Sequence, residues 1–256
     1  MIQIENFLLI IGNARSGSTI LGAVLDAHPN MVVANETIES GHLWRGLDGG
    51  KILAGIFQNA EQQALESTRS AVCGQKSAWP PSKKQDIRVM GDKIWNPATL
   101  FLHGKYNLIP SLEERVVAPV ALIHACRNPF DAISSMHLKS GAPVGDRIRW
   151  YSVHCEAVAA ISERMPGNRF LHVHHEELIQ RPSEVLENCC RFLDVPFSDA
   201  YLERCKPLLL DSPRQTRQQV EWTSREIDRV RELIHSYCWL EFYRQEFPPT
   251  VSMKSP

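Results

Sequence analysis

A three-layer α/β fold, with a central parallel sheet of about five strands flanked by helices, is what this sequence predicts. Three observations carry that expectation. Five short segments that read as buried strands, each followed by a turn or helix signal, alternate with stretches of helical periodicity. Alternation of this kind favours parallel strands joined by crossover helices. The first run, Phe7 to Ile11, leads straight into the glycine-rich turn Gly12-Asn-Ala-Arg15-Ser-Gly17-Ser18-Thr19.

The elements follow in order. Strands are expected at about 7–11, 31–35, 88–92, 119–126 and 169–174, short segments that read as buried in a sheet covered on both faces. Helices are expected at about 18–27, 51–72, 97–109, 129–139, 146–164, 182–193 and 224–243. The last begins at Thr223-Ser-Arg-Glu226, an S/T-x-x-E capping box. Asn128-Pro129 before Asp131 reads as N-cap, first helical residue and favourable first-turn charge for the helix after the fourth strand. The 146–164 helix carries an apolar stripe and is read as core packing. One domain over 1–256 accommodates these elements, and the tail 248–256 is expected to fray. Residues 37–87 exceed what one crossover needs. They read either as a surface excursion or as an insertion that binds a substrate, since binding residues favour loops on a rigid scaffold.

Composition sets limits. The net charge is −1 over 256 residues, so no global field points to nucleic acid or an anionic membrane, and any anion site must be local. The first apolar run is too short for a membrane span or a signal segment. Seven cysteines without C-x-x-C spacing suit free thiols in a reducing compartment, which implies the cytoplasm. The sequence is silent on oligomeric state.

The turn after the first strand is a phosphate-binding loop of Walker A type with one part exchanged. Ser18 stands where the lysine that grips β- and γ-phosphates belongs, and Arg15 is the only cation the loop offers. Backbone N–H groups and a helix N-terminus still suit a phosphate. Magnesium-bound ATP is poorly served, so the expected ligand is a nucleotide whose 5′-phosphate carries something other than more phosphate. Ligands of parallel sheets bind beyond the carboxyl ends of the strands. Those ends deliver Arg15, then Glu36, Lys93, Arg127, and His175 with Glu176. Arg127 beside a helix start, with Ser134 or Ser135 two turns in, makes a second anion site. His172, His174 and His175 lack a carboxylate-plus-histidine partner of suitable spacing, and no metal is expected. Cys126 reads as a small core residue.

At these positions the chain resembles the sulfotransferases that use 3′-phosphoadenosine 5′-phosphosulfate (PAPS). Their R-S-G-[ST]-T loop is matched by Arg15, Ser16, Gly17, Ser18 and Thr19, and their R-[DN]-P-x-D element by Arg127 to Asp131 with Ser135 eight residues on. Leu25-Asp-Ala-His28-Pro29 with Glu36, and Gly91-Asp-Lys93, are similar to the protein-tyrosine and bacterial small-molecule branches. His174 to Leu178 with Pro182 and Phe192-Leu193 resembles a further family element. The matches run from about 12 to 195. The resemblance implies transfer of a sulfuryl group from PAPS to a hydroxyl of a small-molecule acceptor, leaving 3′-phosphoadenosine 5′-phosphate (PAP). It implies that residues 15–19 hold the 5′-phosphate, that Arg127 and Ser135 hold the 3′-phosphate, and that Arg15 and Lys93 stabilise charge. Cytosolic members place a basic histidine where this chain has Trp95, so Glu36 is the expected base, with His42 and His124 next in line. Arg214 or Arg217 is the expected substitute for the family's C-terminal nucleotide loop. A P-loop small-molecule kinase and a non-catalytic nucleotide-binding module are the alternative readings.

Overall fold

The computed structural model describes residues 3–37, 47–66, 84, 86–105 and 107–245. Five strands, β1 (Asn6–Gly12), β2 (Met31–Asn35), β3 (Val89–Lys93), β4 (Val120–Cys126) and β5 (Phe170–His174), form one sheet in the order β2-β3-β1-β4-β5. Every pairing is parallel. The expected fold class is therefore the observed one, with each strand within a residue of its expected limits.

Side-chain alternation along β1 explains why both faces are covered. Phe7, Leu9 and Ile11 enter one core, while Leu8 and Ile10 enter the other. The first core is closed by helices α2 (Gly49–Glu66), α3 (Asn96–Gly104), α4 (Leu108–Val116), α5 (Pro129–Ser140), α6 (Val144–Arg164) and α10 (Ser224–Ser236). The second is closed by α1 (Ser18–Asp26), α7 (His175–Gln180), α8 (Pro182–Phe192) and α9 (Asp199–Cys205). Cys126 and Cys155 pack in the first core, and Cys189, Cys190 and Cys205 in the second. All six described cysteines are free, and Cys73 lies outside the described residues. Among the described residues, no helix is long and apolar enough to cross a membrane.

Three expectations about helices need correction. The single helix at 97–109 is two, α3 and α4. Pro110 has no N–H to give and is tolerated only in a first turn, so a new helix must begin just before it, at Leu108. The last helix stops at Ser236, and Cys238–Tyr243 form a 3₁₀ turn that brings Trp239 and Tyr243 back onto the core. Helices α7 and α9 were not foreseen. Ser198 caps α9 by accepting from the Tyr201 amide. The capping box at Thr223 and Glu226 is present in full. Of the 37–87 excursion, α2 is described, whereas 38–46, 67–83 and 85 lie outside the described residues, as does the 248–256 tail.

Candidate active site

The carboxyl edge of the sheet opens into a cavity of about 640 Å³. Its wall includes Arg15, Gly17, Ser18 and Thr19 from the first loop, Glu36 from the end of β2, Lys93 from β3 and Arg127 from β4. These four sequence segments, far apart in the chain, meet here because the parallel topology sends the strand ends to the same edge.

The loop has the conformation its glycine demands. Gly17 caps α1 in the left-handed region, φ 87°, and a Cβ there would come within 2.3 Å of the His175 Nδ1. A side chain at this position is excluded twice, by backbone strain and by the imidazole. Arg15 also takes a positive φ, 66°, which for a non-glycine residue costs on the order of 1–3 kcal/mol and is characteristic of functional loops. Among the described residues no side chain caps α1, so its first-turn N–H groups remain available at the cavity. Ser16 is not part of the wall. Its side chain is buried, and its Oγ lies where a Cβ on Gly12 would fall, 2.9 Å away.

Arg127 organises the neighbouring region. Its Nη1 donates to the Arg15 carbonyl at 3.1 Å, and its Nη2 donates to the Arg214 carbonyl at 2.7 Å and to Thr216 Oγ1 at 3.2 Å. Its Nε is buried and has no partner among the described residues. Burial makes the guanidinium costlier to charge and lowers its pKa. Arg15 Nε in turn donates to Ser135 Oγ at 3.0 Å, so Ser135 meets the loop through Arg15 and is not itself in the cavity wall. Asn128 caps α5 by accepting from the Phe130 amide at 3.0 Å, as its position before proline predicts.

The two candidate C-terminal arginines separate cleanly. Arg217 is spent on Asp131, which accepts from its amide at 2.8 Å and lies 3.8 Å from its Nε. Arg214 lines the cavity. Trp222, buried edge-on against Phe130 at 5.2 Å, holds this segment on α5.

Opposite Arg127, Glu36 closes β2 at φ 62° and makes an ion pair with Lys93. Its amide donates to the Lys93 carbonyl at 2.8 Å, and the Thr37 amide donates to Asp92 Oδ1 at 3.3 Å. Lys93 is nearly buried and Glu36 about a third exposed. Trp95 stands beside them in the wall, 46% exposed.

Other expected residues fall elsewhere. Glu176 does not face the cavity. It accepts from the Asn128 amide at 3.0 Å and from the Tyr243 hydroxyl at 2.7 Å, and burial raises its pKa. Its work is to fix the β4–α5 turn that presents Arg127. His175 does line the cavity, with Nδ1 lacking a partner among the described residues, and burial, reinforced by Arg127, pushes its pKa down to about 4. His124 is buried in the sheet away from this wall, and His42 lies outside the described residues.

Lys139, Arg147 and Trp150 also line the cavity and were missed. Arg147 and Trp150, three residues apart on α6, form a stripe beside the apolar one. That offset is the signal the sequence offers, beside the apolar stripe that packs in the core.

A family model described as the sulfotransferase family matches residues 118–199, which span β4, Arg127, α5 and β5. No curated protein matches the chain. Among solved structures, the sulfotransferase domain of the olefin synthase from Synechococcus PCC 7002 is similar over 97% of this chain and 98% of its own, with TM-score 0.56 and 19% identity. Sulfotransferase STF9 from Mycobacterium avium is similar over 97% of this chain and 79% of its own, with TM-score 0.56 and 12% identity. The segment that presents Arg127 thus carries the match to the sulfotransferase family, and the fold around it is similar to that of solved sulfotransferases.

Proposed function

We propose that this enzyme moves a sulfuryl group from PAPS to a hydroxyl of a small-molecule acceptor. The observation that carries the reading is the pairing, in one cavity, of a phosphate loop without the Walker lysine and a buried arginine whose Nε lacks an acceptor among the described residues. A 5′-phosphate suits the α1 N-terminus, Ser18 and Thr19. A 3′-phosphate suits Arg127, supported by Ser135 beneath Arg15 and by Arg214, and would give the orphaned Nε its acceptor.

The chemistry follows from the opposite wall. The acceptor hydroxyl gives its proton to Glu36 as its oxygen attacks sulfur. The sulfur–oxygen bond to the phosphate breaks, and PAP leaves with that electron pair. Lys93, now paired with Glu36, turns to the bridging oxygen when donor arrives, which frees the carboxylate to act as base. Arg15 and Lys93 offset charge that develops on the sulfuryl and leaving oxygens. General-base assistance of this kind is worth about 10²–10⁴-fold in rate. Trp95 cannot accept a proton and serves as an acceptor-side wall.

The test is transfer of labelled sulfuryl from PAPS across a panel of phenols, sugars, lipids and aliphatic alcohols, with PAP binding measured in parallel by thermal shift. Transfer to at least one hydroxyl is expected, along with stronger stabilisation by PAP than by adenosine 5′-monophosphate. Equal stabilisation by the two nucleotides would remove the 3′-phosphate assignment, and tight binding of magnesium-ATP without PAP binding would make the protein a kinase.

A further inference from the structure

A second cluster of reactive side chains lies in the first core and takes no part in the cavity. Along β4 side chains alternate, so His124 and Cys126 face the same layer as Val120 and Leu122. The parallel register sets His172 of β5 directly beside His124. The two Nδ1 atoms face each other at 2.9 Å, and Cys126 Sγ lies 3.2 Å from one and 3.9 Å from the other. His124 and Cys126 are buried and His172 half-buried.

We propose that His124, Cys126 and His172 bind a soft divalent transition-metal ion of zinc type. The donor set is the ground for the choice, because two imidazoles and a thiolate suit zinc and its neighbours and do not suit magnesium or calcium. Size agrees as well. A tetrahedral ion with metal–nitrogen bonds of about 2.0–2.1 Å and a metal–sulfur bond of about 2.3 Å holds its ligand atoms roughly 3.3–3.6 Å apart. The three observed separations bracket that range, so small rotations of the side chains complete the triangle. Cys126 must lose its proton to the solvent on binding.

Three protein ligands leave the fourth position to water. His174 is not available for it, since its Nδ1 meets Glu177 at 3.1 Å and its Nε2 meets the Trp239 carbonyl at 2.8 Å. The Trp239 ring stacks on His172 at 5.0 Å and stands edge-on to His124 at 5.6 Å. An ion here would tie β4 and the edge strand β5 together under the C-terminal 3₁₀ turn. None of the three ligands lines the cavity, so the ion takes no part in the chemistry there.

The experiment uses the full chain, stripped by chelator and kept under a phosphine reductant, titrated with Co²⁺ and then with Zn²⁺. One equivalent of Co²⁺ should give a thiolate charge-transfer band and tetrahedral visible bands, and Zn²⁺ should bleach both. Cys126→Ser should abolish the charge-transfer band, whereas Cys238→Ser, at the exposed cysteine, should keep it. Zn²⁺ at 100 times its dissociation constant should raise the wild-type Tm by roughly 5–10 °C. Absence of the band in wild type, its survival in Cys126→Ser, or an unmoved wild-type Tm would each show that the cluster is only a hydrogen-bonded core. The wild-type measurements decide the matter even where a variant does not fold.

Discussion

The two flanks of β1 hold their charges by different means. On the β4 side, Arg127 is fastened to two main-chain carbonyls and a threonine, Asn128 and Glu176 fix its turn, and Arg15 rests on Ser135. On the β3 side, the main chain of Glu36 is tied to the Lys93 carbonyl, but among the described residues its carboxylate is held by the ion pair to Lys93, a third exposed beside an exposed tryptophan. Backbone anchors are rigid and leave little to rearrange. An ion pair can exchange partners. The first arrangement suits a group that positions a nucleotide, and the second suits a group that must be released at the moment of reaction.

The sharpest way to break this comparison is to remove charge from each flank in turn. Glu36→Gln keeps shape and removes basicity, so kcat should fall about 10²–10⁴-fold while PAP affinity stays near wild type. A variant retaining a third of wild-type kcat would end the case for Glu36 as base. Arg127→Ala should do the opposite. It removes charge-assisted bonds worth about 1.5–3 kcal/mol, so PAP should bind roughly 10–100-fold more weakly, with little change for adenosine 5′-monophosphate. Parallel losses for both nucleotides would mean that Arg127 only supports the loop.

Gly17→Ala tests the rigidity of the donor flank. The new methyl meets His175, and the left-handed backbone adds about 1 kcal/mol for a residue with a Cβ. PAP binding should weaken about tenfold or more. Adding His175→Ala should restore the steric share and leave the backbone share, whereas full recovery would show that φ contributes nothing.

Acid should destabilise the same flank. His175 has a folded pKa near 4 against an ordinary 6.5, so the unfolded chain binds the proton more readily. Its contribution is present above about pH 6.5 and is lost as pH falls toward about 4. The wild-type Tm should drop across that window, and His175→Gln should flatten part of the fall. His172 shares the sign and the range, so the part that remains is expected to track the β4–β5 cluster. A curve unchanged by His175→Gln would show that this imidazole is not the group responsible. The smallest effect belongs far from both flanks. Thr223→Ala removes one side of the α10 capping box and should cost about 1 kcal/mol with turnover unchanged.

Local chemistry was legible wherever one short stretch determines its own conformation. The β1 run, the glycine at the α1 cap, the Asn128-Pro129 helix start and the Thr223–Glu226 box could all be read from neighbouring residues, because strand burial, left-handed glycine and capping are effects of a few positions. Strand ends could be listed as well, and with them Arg15, Glu36, Lys93 and Arg127. Partnerships could not. Which of Arg214 and Arg217 is spent on Asp131, that Glu36 pairs with Lys93, that Ser135 meets the loop through Arg15, and that Glu176 serves a turn are all long-range facts. The same holds for Arg147 and Trp150, which helical spacing placed on α6 without saying which face meets the cavity. His124, Cys126 and His172 are the extreme case, since only the β4–β5 register brings residues 46 and 48 positions apart into contact. A sequence carries the energetics of each turn and strand in nearby residues, but the strand order that decides who meets whom depends on the packing of the whole sheet, and that is settled only in three dimensions.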